Sequence, residues 1–538
     1  MKNIWLLVSI AAGAFTTSHS LLAEGPIVWI PSSTLVRVSP TEKPPSKTTT
    51  TALIYAARGE VQSFQVAIQA PVGGLTNVRL SVSDLVWNQD GAADEEIIPA
   101  ANVILYREKY MTVLQHSPTY NGPPNLPITG INTFPDALIP FIDPLTGEPP
   151  KGGNYVAEPV DLSSGHNAVF WIDVNIPNDA KAGTYRGRYT VTSDDESKQG
   201  NVIVNVWDFT MRPEPYIRSS LNGAGTYPAG TQDELLRNKL MPDYVNPKAE
   251  PGLIKKYGAF ATDTQFFDGV SYGECELTAP PTLSHVEAAK AAEAPGLYLY
   301  DDSADPESSC TDEAFYKSVI AWAKVFHKAG IENLVTQQPV PQLYNDGLGT
   351  GRSAVDIWTM LPQNYNDAEA EVPPAVTYVL KKGDAAWSYN DLVQDAYSPK
   401  WELDFLPIDY RIQPGFISQS LGLTGVLYWS VDDWSPDPWE NPQGNENPDY
   451  PGEGVLIYPG AQAGLKGVAP SMRLKYLRDG VQDYGYIQIL KNCGQREWAL
   501  EESRKVGRDW TNWTRSSGLL ESVRLELGNK IAALGCSR

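Results

Sequence analysis

The sequence predicts a multidomain β and α/β protein: an N-terminal β-sandwich, then a TIM-like (β/α) barrel, then a helical C-terminal extension. Three observations predict it. Short apolar runs with period-two alternation recur up to about residue 212. Beyond that, apolar runs of strand length flank an amphipathic helix, and after residue 470 the periodicity is helical. The chain has 538 residues, too many for one core.

Residues 1–23 read as a secretory signal. Lys2 gives a positive start, Ile4 to Phe15 is apolar, and Ser18, Ser20 and Ala23 are the small residues of a cleavage region. That run is too short to span a bilayer, so the expected location is secreted or periplasmic. The four cysteines allow three pairings in an oxidising compartment. Pairing of neighbours, Cys275 with Cys310 and Cys493 with Cys536, is the expectation. None sits in a CxxC pair, and His116, His166, His285 and His327 are scattered singly. Neither a metal nor another cofactor is therefore expected. Lys plus Arg is 42 and Asp plus Glu is 64, a net charge of −22. A field of that sign repels phosphate backbones and anionic lipid, so nucleic acid and membrane are poor partners.

The sandwich is expected over residues 24–212. Val61, Phe64, Val66 and Ile68 fall mostly on period two, and Val78, Leu80 and Val82 alternate strictly. Ala168 to Ile176, Gly187 to Thr192 and Val202 to Val206 follow, with turn residues between. Residues 117 to 165 are rich in Pro, Gly and Asn, an irregular loop long enough to reach a neighbouring site.

The barrel is expected over 213–470. Thr311 can cap a helix running to Ala329, whose Phe315, Val319, Trp322, Ala323 and Phe326 share one face and which Gly330 ends. It lies between the strand-like runs Leu297 to Tyr300 and Asn333 to Thr336, a βαβ unit that implies parallel strands. Ala354 to Met360 and Thr424 to Val431 read as further strands, and Leu406 to Leu421 as another helix. In the extension, residues 471–538, Leu474, Leu477, Val481 and Tyr484 share a helical face, and Glu501 to Leu534 is charged and amphipathic, expected to pack on the barrel exterior.

Chemistry is expected at the C-terminal ends of barrel strands. Six of the 15 tryptophans lie between residues 358 and 439. The run GVLYWSVDDWSPDPW ends an apolar strand in Tyr428, Trp429, Asp432, Asp433, Trp434 and Trp439. Trp stacks on the apolar faces of sugar rings, and acids bond their hydroxyl edges, so an oligosaccharide or polysaccharide is the expected partner. The strand Leu297 to Tyr300 ends in Asp301 and Asp302, with Asp305 close behind. Of two adjacent carboxylates one can stay ionised while the other holds a proton, as glycosidic cleavage requires.

Several stretches together resemble glycoside hydrolase family 123 and bacterial proteins sharing its catalytic domain. They are YWSVDDW, GEGVLIYPG, PSMRLKYLRDGVQDYGY, the segment Gly383 to Arg411 with Trp387, Tyr389 and Asp404, the run Val355-Asp356-Ile357-Trp358, and RGEVQSFQV near the front. The resemblance implies a β-N-acetylgalactosaminidase-like activity on β-linked N-acetylhexosamine by substrate-assisted retention. The substrate's acetamido oxygen attacks the anomeric carbon, one carboxylate orients that group, and a second is acid, then base. Aligned on the strand, Asp301 and Asp302 take those roles; aligned on Pro306, Ala304 and Asp305 take the places. Asp356, Trp358, Trp387, Tyr389, Tyr428, Trp429, Asp432 and Trp434 are expected to shape the sugar pocket. The alternatives are glycan binding without turnover, or hydrolysis of another sugar by a more distant pair such as Asp302 with Asp432 or Asp356.

Overall fold

The structure is a computed structural model that describes residues 25–87, 96–119, 125–267, 273 and 275–536. The proposed signal lies outside the described residues. Two sheets form the front unit. One runs in the order Ile27–Trp29, Val61–Gln69, Asn167–Asn175, Val103–Thr112 and Thr133–Pro140. The other is ordered Thr51–Arg58, Ser197–Thr210, Gly183–Thr192, Leu75–Val82 and Val160–Leu162. Phe64, Val66, Ile68, Phe170, Ile172 and Val174 of the first sheet meet Ile54, Tyr185, Tyr189, Val202 and Val204 of the second. Strand Asn167–Asn175 is buried at all but its last residue. Its odd side chains, Trp171 and Asp173 among them, face the rest of the protein instead of water, so its sequence shows no polar face.

The second unit is a sheet of seven parallel strands, here β1 (Arg218–Leu221), β2 (Ala261–Asp263), β3 (Tyr298–Ala304), β4 (Glu332–Val335), β5 (Ile357–Met360), β6 (Ala385–Tyr389) and β7 (Gly425–Tyr428). The order is β1-β7-β6-β5-β4-β3-β2. Residues 241–243 bond to both edges: Leu221 N donates to Met241 O at 3.1 Å and Asp263 N to Asp243 O at 2.7 Å. The sheet is thereby nearly closed, a barrel-like form of the expected architecture.

The predicted helix after β3 spans Glu313–Ala329, capped by the Asp312 side chain rather than Thr311 and ended by Gly330 at φ 73°. The expected helix over 406–421 is broken into Pro407–Ile412, a π-helical turn Gln413–Ile417 and Ser418–Leu421. Pro414, which has no N–H to give the ladder, sits in that turn. The expected irregular loop contains the strand Thr133–Pro140, and it does reach the barrel. Asn125 Nδ2 donates to Asp409 Oδ2 at 2.6 Å, and Ile128 N to Asp404 O at 2.7 Å. Both disulfides join the expected neighbours, Cys275–Cys310 and Cys493–Cys536. Among the described residues no helix is long and apolar enough to cross a membrane.

The helix Met472–Asn492 departs most from expectation, being buried on nearly every side between sandwich and barrel. Arg473 bonds Asp136 at 2.8 Å, and Arg478 and Lys475 reach Asp173 at 3.0 and 3.2 Å. Burial alone would raise the Asp173 carboxyl, but those two cations hold it well below the usual range. Gly480 lets the Arg411 carbonyl approach, since a Cβ there would lie 2.4 Å from it. The segment RGEVQSFQV docks on this helix: the Val61 N–H donates to the Gln482 side-chain oxygen and the Val61 carbonyl accepts from its Nε2, and Glu60 accepts from Tyr486 and Arg524 at 2.6 Å each. Asp136→Ala would leave the Arg473 charge buried without its partner, and a loss of about 3–5 kcal/mol is expected in urea unfolding. A change within measurement error would show that this pair does not hold the units together.

Candidate active site

The β3 end is where the sequence put the acids, and its local geometry decides which of them face inward. Tyr300 packs with Leu334, Ile357, Trp387 and Leu427 inside the barrel, whereas Leu299 packs against the outer helix residues Trp322 and Phe326. Alternation then directs Asp302 inward and Asp301 outward. Asp301 Oδ2 accepts from Thr264 Oγ1 at 2.5 Å and from Phe266 N at 3.0 Å, tying down the chain after β2. Asp301, for which the sequence suggested an orienting role, is thus placed on the outer face of its strand, where it braces the neighbouring segment.

The register slips between Asp302 and Ala304, so Ser303 is an extra residue. Its Oγ donates to Asn333 Oδ1 at 2.6 Å, and Ala304 lies in the outer core. One added residue reverses the alternation, which brings Asp305 to the same inward side as Asp302. Thr336 at the end of β4 donates to Asp305 Oδ1 at 2.5 Å. Next comes Pro306, then Glu307 and Ser308 with φ of 46° and 62°. Two consecutive non-glycine residues in the left-handed region cost on the order of 1–3 kcal/mol each. Thr336 holds them there, since its Oγ1 accepts from Glu307 N at 3.1 Å and its carbonyl from Ser308 N at 2.9 Å.

More acids converge from the other strand ends. Asp263 ends β2, and its Oδ2 accepts from Asp302 N at 2.7 Å. Asp243 accepts from the Tyr227 hydroxyl. Asp391 follows β6, Trp429 follows β7, and Glu453 accepts from Trp429 Nε1 at 2.6 Å. Burial raises every one of these carboxyls, and the charges that add to the rise are each other's. Asp302 is pushed well above the carboxylate range by burial, then by Asp305 and Asp263. Asp305 is raised by burial and partly restored by Thr336. Burial lifts Asp263 and Asp391 to about 7, with Asp243 and Asp305 respectively adding to it. Glu307 reaches about 8 through burial and the charges of Asp391 and Asp305, with hydrogen bonding from Tyr389 and Gln394 offsetting part. Glu453 stands well above its ordinary value through burial, then Asp391 and Glu402.

Asp243, Asp302, Asp305, Glu307, Asp391 and Trp429 keep partial surface exposure despite this crowding, so they line a recess open to solvent. Asp302 Oδ1 and the indole N–H of Trp387 are buried without a hydrogen-bond partner among the described residues, two polar atoms on the barrel interior. A recess of this kind can donate protons at neutral pH and favours any positive charge that develops inside it. Among the described residues no group of three or more His, Cys, Asp or Glu side chains is placed to hold a metal ion.

The predicted binding residues divide. Trp429 is partly exposed at the end of β7, while Tyr389 is buried at the end of β6 with its hydroxyl toward Glu307. Trp387 is fully buried in the barrel wall, 5.6 Å from Tyr300 between ring centres. Trp434 is half-buried, its indole donating to Ile457 O at 2.8 Å, and Asp432 caps the chain after β1 by accepting from Ala224 N at 2.7 Å. Tyr428 is buried on the helix side, its hydroxyl accepting from Gly454 N at 2.8 Å. Asp356 and Trp358 lie elsewhere. Asp356 precedes β5 at the opposite end of the barrel, bonded to His327 at 2.8 Å and Arg352 at 2.6 Å. Trp358 is buried in the outer core and donates to Asp384 at 3.1 Å. Sequence reading missed Asp243, Asp263, Glu307, Asp391 and Glu453 as members of the site. Of these, Glu453 carried a signal within GEGVLIYPG, and Glu307 one in closing the acidic run that begins at Asp301.

The raised carboxyls fix how stability depends on pH. In the folded state they keep protons that the unfolded chain gives up near about pH 4, so their contribution is full below that value and is lost as pH rises through about 7 to 8. The carboxylates held low, such as Asp356, act below that interval. Denaturant unfolding at constant ionic strength should therefore show stability falling between about pH 5 and about pH 8.5. A flat or rising profile contradicts the protonated cluster.

Residues 408–490 match the family model of the glycoside hydrolase 123 catalytic domain. A family 123 glycoside hydrolase from Clostridium perfringens, solved in a study of glycolipid glycan hydrolysis, superposes with a TM-score of 0.63 at 14% identity, covering 95% of this chain and 98% of that one. A β-glucuronidase from Parabacteroides merdae gives a TM-score of only 0.26 at 10% identity, over 74% of this chain and 48% of that one. No curated protein sequence matches the chain. The sequence match falls on the segment from the helix after β6 to the buried helix Met472–Asn492, and the fold of a family 123 glycoside hydrolase extends over nearly the whole chain, which confirms the family resemblance carried by its motifs.

Proposed function

We propose that the protein is an exported glycoside hydrolase acting on β-linked N-acetylhexosamine glycans, N-acetylgalactosamine-like, by substrate-assisted retention. One observation carries the reading: the extra residue at Ser303 sets Asp302 and Asp305 side by side on the inward face of one strand end. Carboxyls that neighbour each other suit a mechanism in which the substrate supplies the nucleophile, because no second protein group has to stand across the sugar ring. In this reading Asp305, steadied by Thr336, orients the acetamido N–H. The acetamido oxygen attacks the anomeric carbon, and a carboxyl beside Asp305 that still holds its proton serves the leaving oxygen. Asp302 and Glu307 flank it in that state. The surrounding carboxylates favour the positive charge of the oxazolinium intermediate. Trp429, partly exposed at the end of β7, gives the sugar an apolar face.

The C. perfringens enzyme is described with glycolipid glycans, which makes the glycan of a glycolipid one substrate to try. The two disulfides and the apolar N-terminal run support export.

The purified protein should cleave aryl β-N-acetylgalactosaminides and leave the matching β-galactosides, which lack the acetamido group, intact. Asp305→Asn should lower kcat by about a hundredfold or more. Cleavage of both sugars alike would indicate a protein nucleophile, for which Asp391, whose carboxyl the Asp305 charge helps to raise, is a candidate. Glycan binding with no cleavage of either would indicate a binding protein.

A further inference from the structure

Resting on the hydrolase reading, we infer that Glu307 is the proton donor to the leaving-group oxygen and that Asp302 is a positioning residue beneath Asp305. The two candidates differ in where they sit. Asp302 lies within β3, its backbone N–H bonded to Asp263, and its carboxyl is hemmed by Asp305, Asp263, Asp301 and Asp243. Its Oδ1 is buried. Glu307 lies two residues beyond Asp305, past the end of the strand. Like Asp302 it keeps partial exposure, but its carboxyl is faced by the Tyr389 hydroxyl and the Gln394 amide from the β6 end. A glycosidic oxygen projects from the sugar toward bulk solvent, where the rest of the glycan continues. The donor must stand on that side, and Glu307, past the end of the strand, is the carboxyl placed to do so.

The backbone supports the same assignment. Glu307 and Ser308 both take the left-handed conformation, and the surroundings hold them in it from several directions. Gln338 N donates to Ser308 Oγ at 2.8 Å, Ser309 Oγ to Pro306 O at 2.5 Å, and Cys310, two residues after Ser308, is tied to Cys275. A turn that serves only to leave the strand has no need of a strained glutamate. Such conformations persist where they aim a side chain.

In the reaction the Glu307 O–H proton moves to the leaving oxygen as its bond to the anomeric carbon breaks, and that bond's electron pair stays on the oxygen. The acetamido oxygen bonds the same carbon and gives the oxazolinium, whose N–H is held by Asp305. Water then attacks the anomeric carbon, releases the acetamido oxygen and returns a proton to Glu307. The groups facing Glu307 are Asp305 from β3 and Tyr389, Asp391 and Gln394 from the β6 end, with Glu453 behind Asp391. Its own titration near about 8 sets the basic limb of the activity profile.

The test compares two β-N-acetylhexosaminides, one with a dinitrophenolate leaving group that needs no proton and one with an alkyl alcohol that does. Glu307→Gln should lower kcat/KM on the alkyl glycoside by about 10²–10⁴-fold, lower it on the dinitrophenyl glycoside by less than about tenfold, and abolish the basic limb. Asp302→Asn should lower both substrates to a similar degree. Glu307→Asp, which keeps the charge one methylene short, should show the same split at smaller size, and it carries the test if the Gln variant does not fold. A split with Asp302→Asn, or equal effects of Glu307→Gln on both substrates, overturns the assignment while leaving the hydrolase reading in place. A wild-type protein that cleaves neither substrate overturns both.

Discussion

The row of buried ion pairs along the helix Met472–Asn492 is the constraint on which the remaining architecture rests. A helix with charged side chains on several faces would ordinarily lie at a surface. Here Arg473, Lys475, Arg478 and Asp483 are all buried, and each meets an opposite charge from another part of the chain: Asp136 and Asp173 from the sandwich, Glu234 after β1, Arg411 after β6. Buried pairs of this kind add little net stability over apolar packing, but a mispaired arrangement would strand charges at a cost of several kcal/mol. Their value lies in admitting one arrangement of sandwich against barrel. That arrangement reaches the recess. Arg473 Nη1 donates to Gly452 O at 2.6 Å, and Asp136 also accepts from Tyr458 at 2.6 Å. The loop that carries Glu453 is thus fixed at both ends by the same ionic contact.

What the sequence made legible follows from this. Elements with one wet face announced themselves: the helix Glu313–Ala329 shows its apolar stripe because its other side meets water, and Leu75–Val82 alternates for the same reason. Elements packed on both sides did not. Met472–Asn492 presents Leu474, Leu477, Val481 and Tyr484 as one apolar face, yet its charged faces are equally buried, which periodicity alone does not reveal. The tryptophans misled for a related reason. Trp358, Trp387, Trp401 and Trp439 are fully buried, so their crowding reports a dense core more than a sugar platform. Only Trp429 carries the expected combination of strand end, aromatic face and acid partner.

The acids were legible by composition and hidden by geometry. DDSADPE puts four carboxyls in one run, but which of them share a face depends on the extra residue at Ser303. A regular strand would have turned Asp305 outward with Asp301. The bulge is encoded in nothing more local than Ser303 bonding Asn333 on the neighbouring strand. Asp263 and Asp391 arrive from strand ends in unremarkable contexts and Glu453 from the loop after β7, scattered over nearly two hundred residues, and only closure of the sheet collects them.

That collection is costly. Several carboxyls whose strongest neighbours are one another can be buried together only by keeping protons, and each kept proton is stability withdrawn as the pH rises. A protein selected for stability alone would place cations among them, as this one does along Met472–Asn492. The same chain therefore answers buried acids in two ways: with Arg and Lys where the units dock, and with protons where the strands end. Paired carboxylates are inert toward a substrate oxygen because they hold no proton to give. Proton-bearing ones are the form that acid–base chemistry needs near neutral pH. The contrast between the two clusters, within one molecule and one solvent, is the strongest physical reason to read the strand-end recess as the place where chemistry is done.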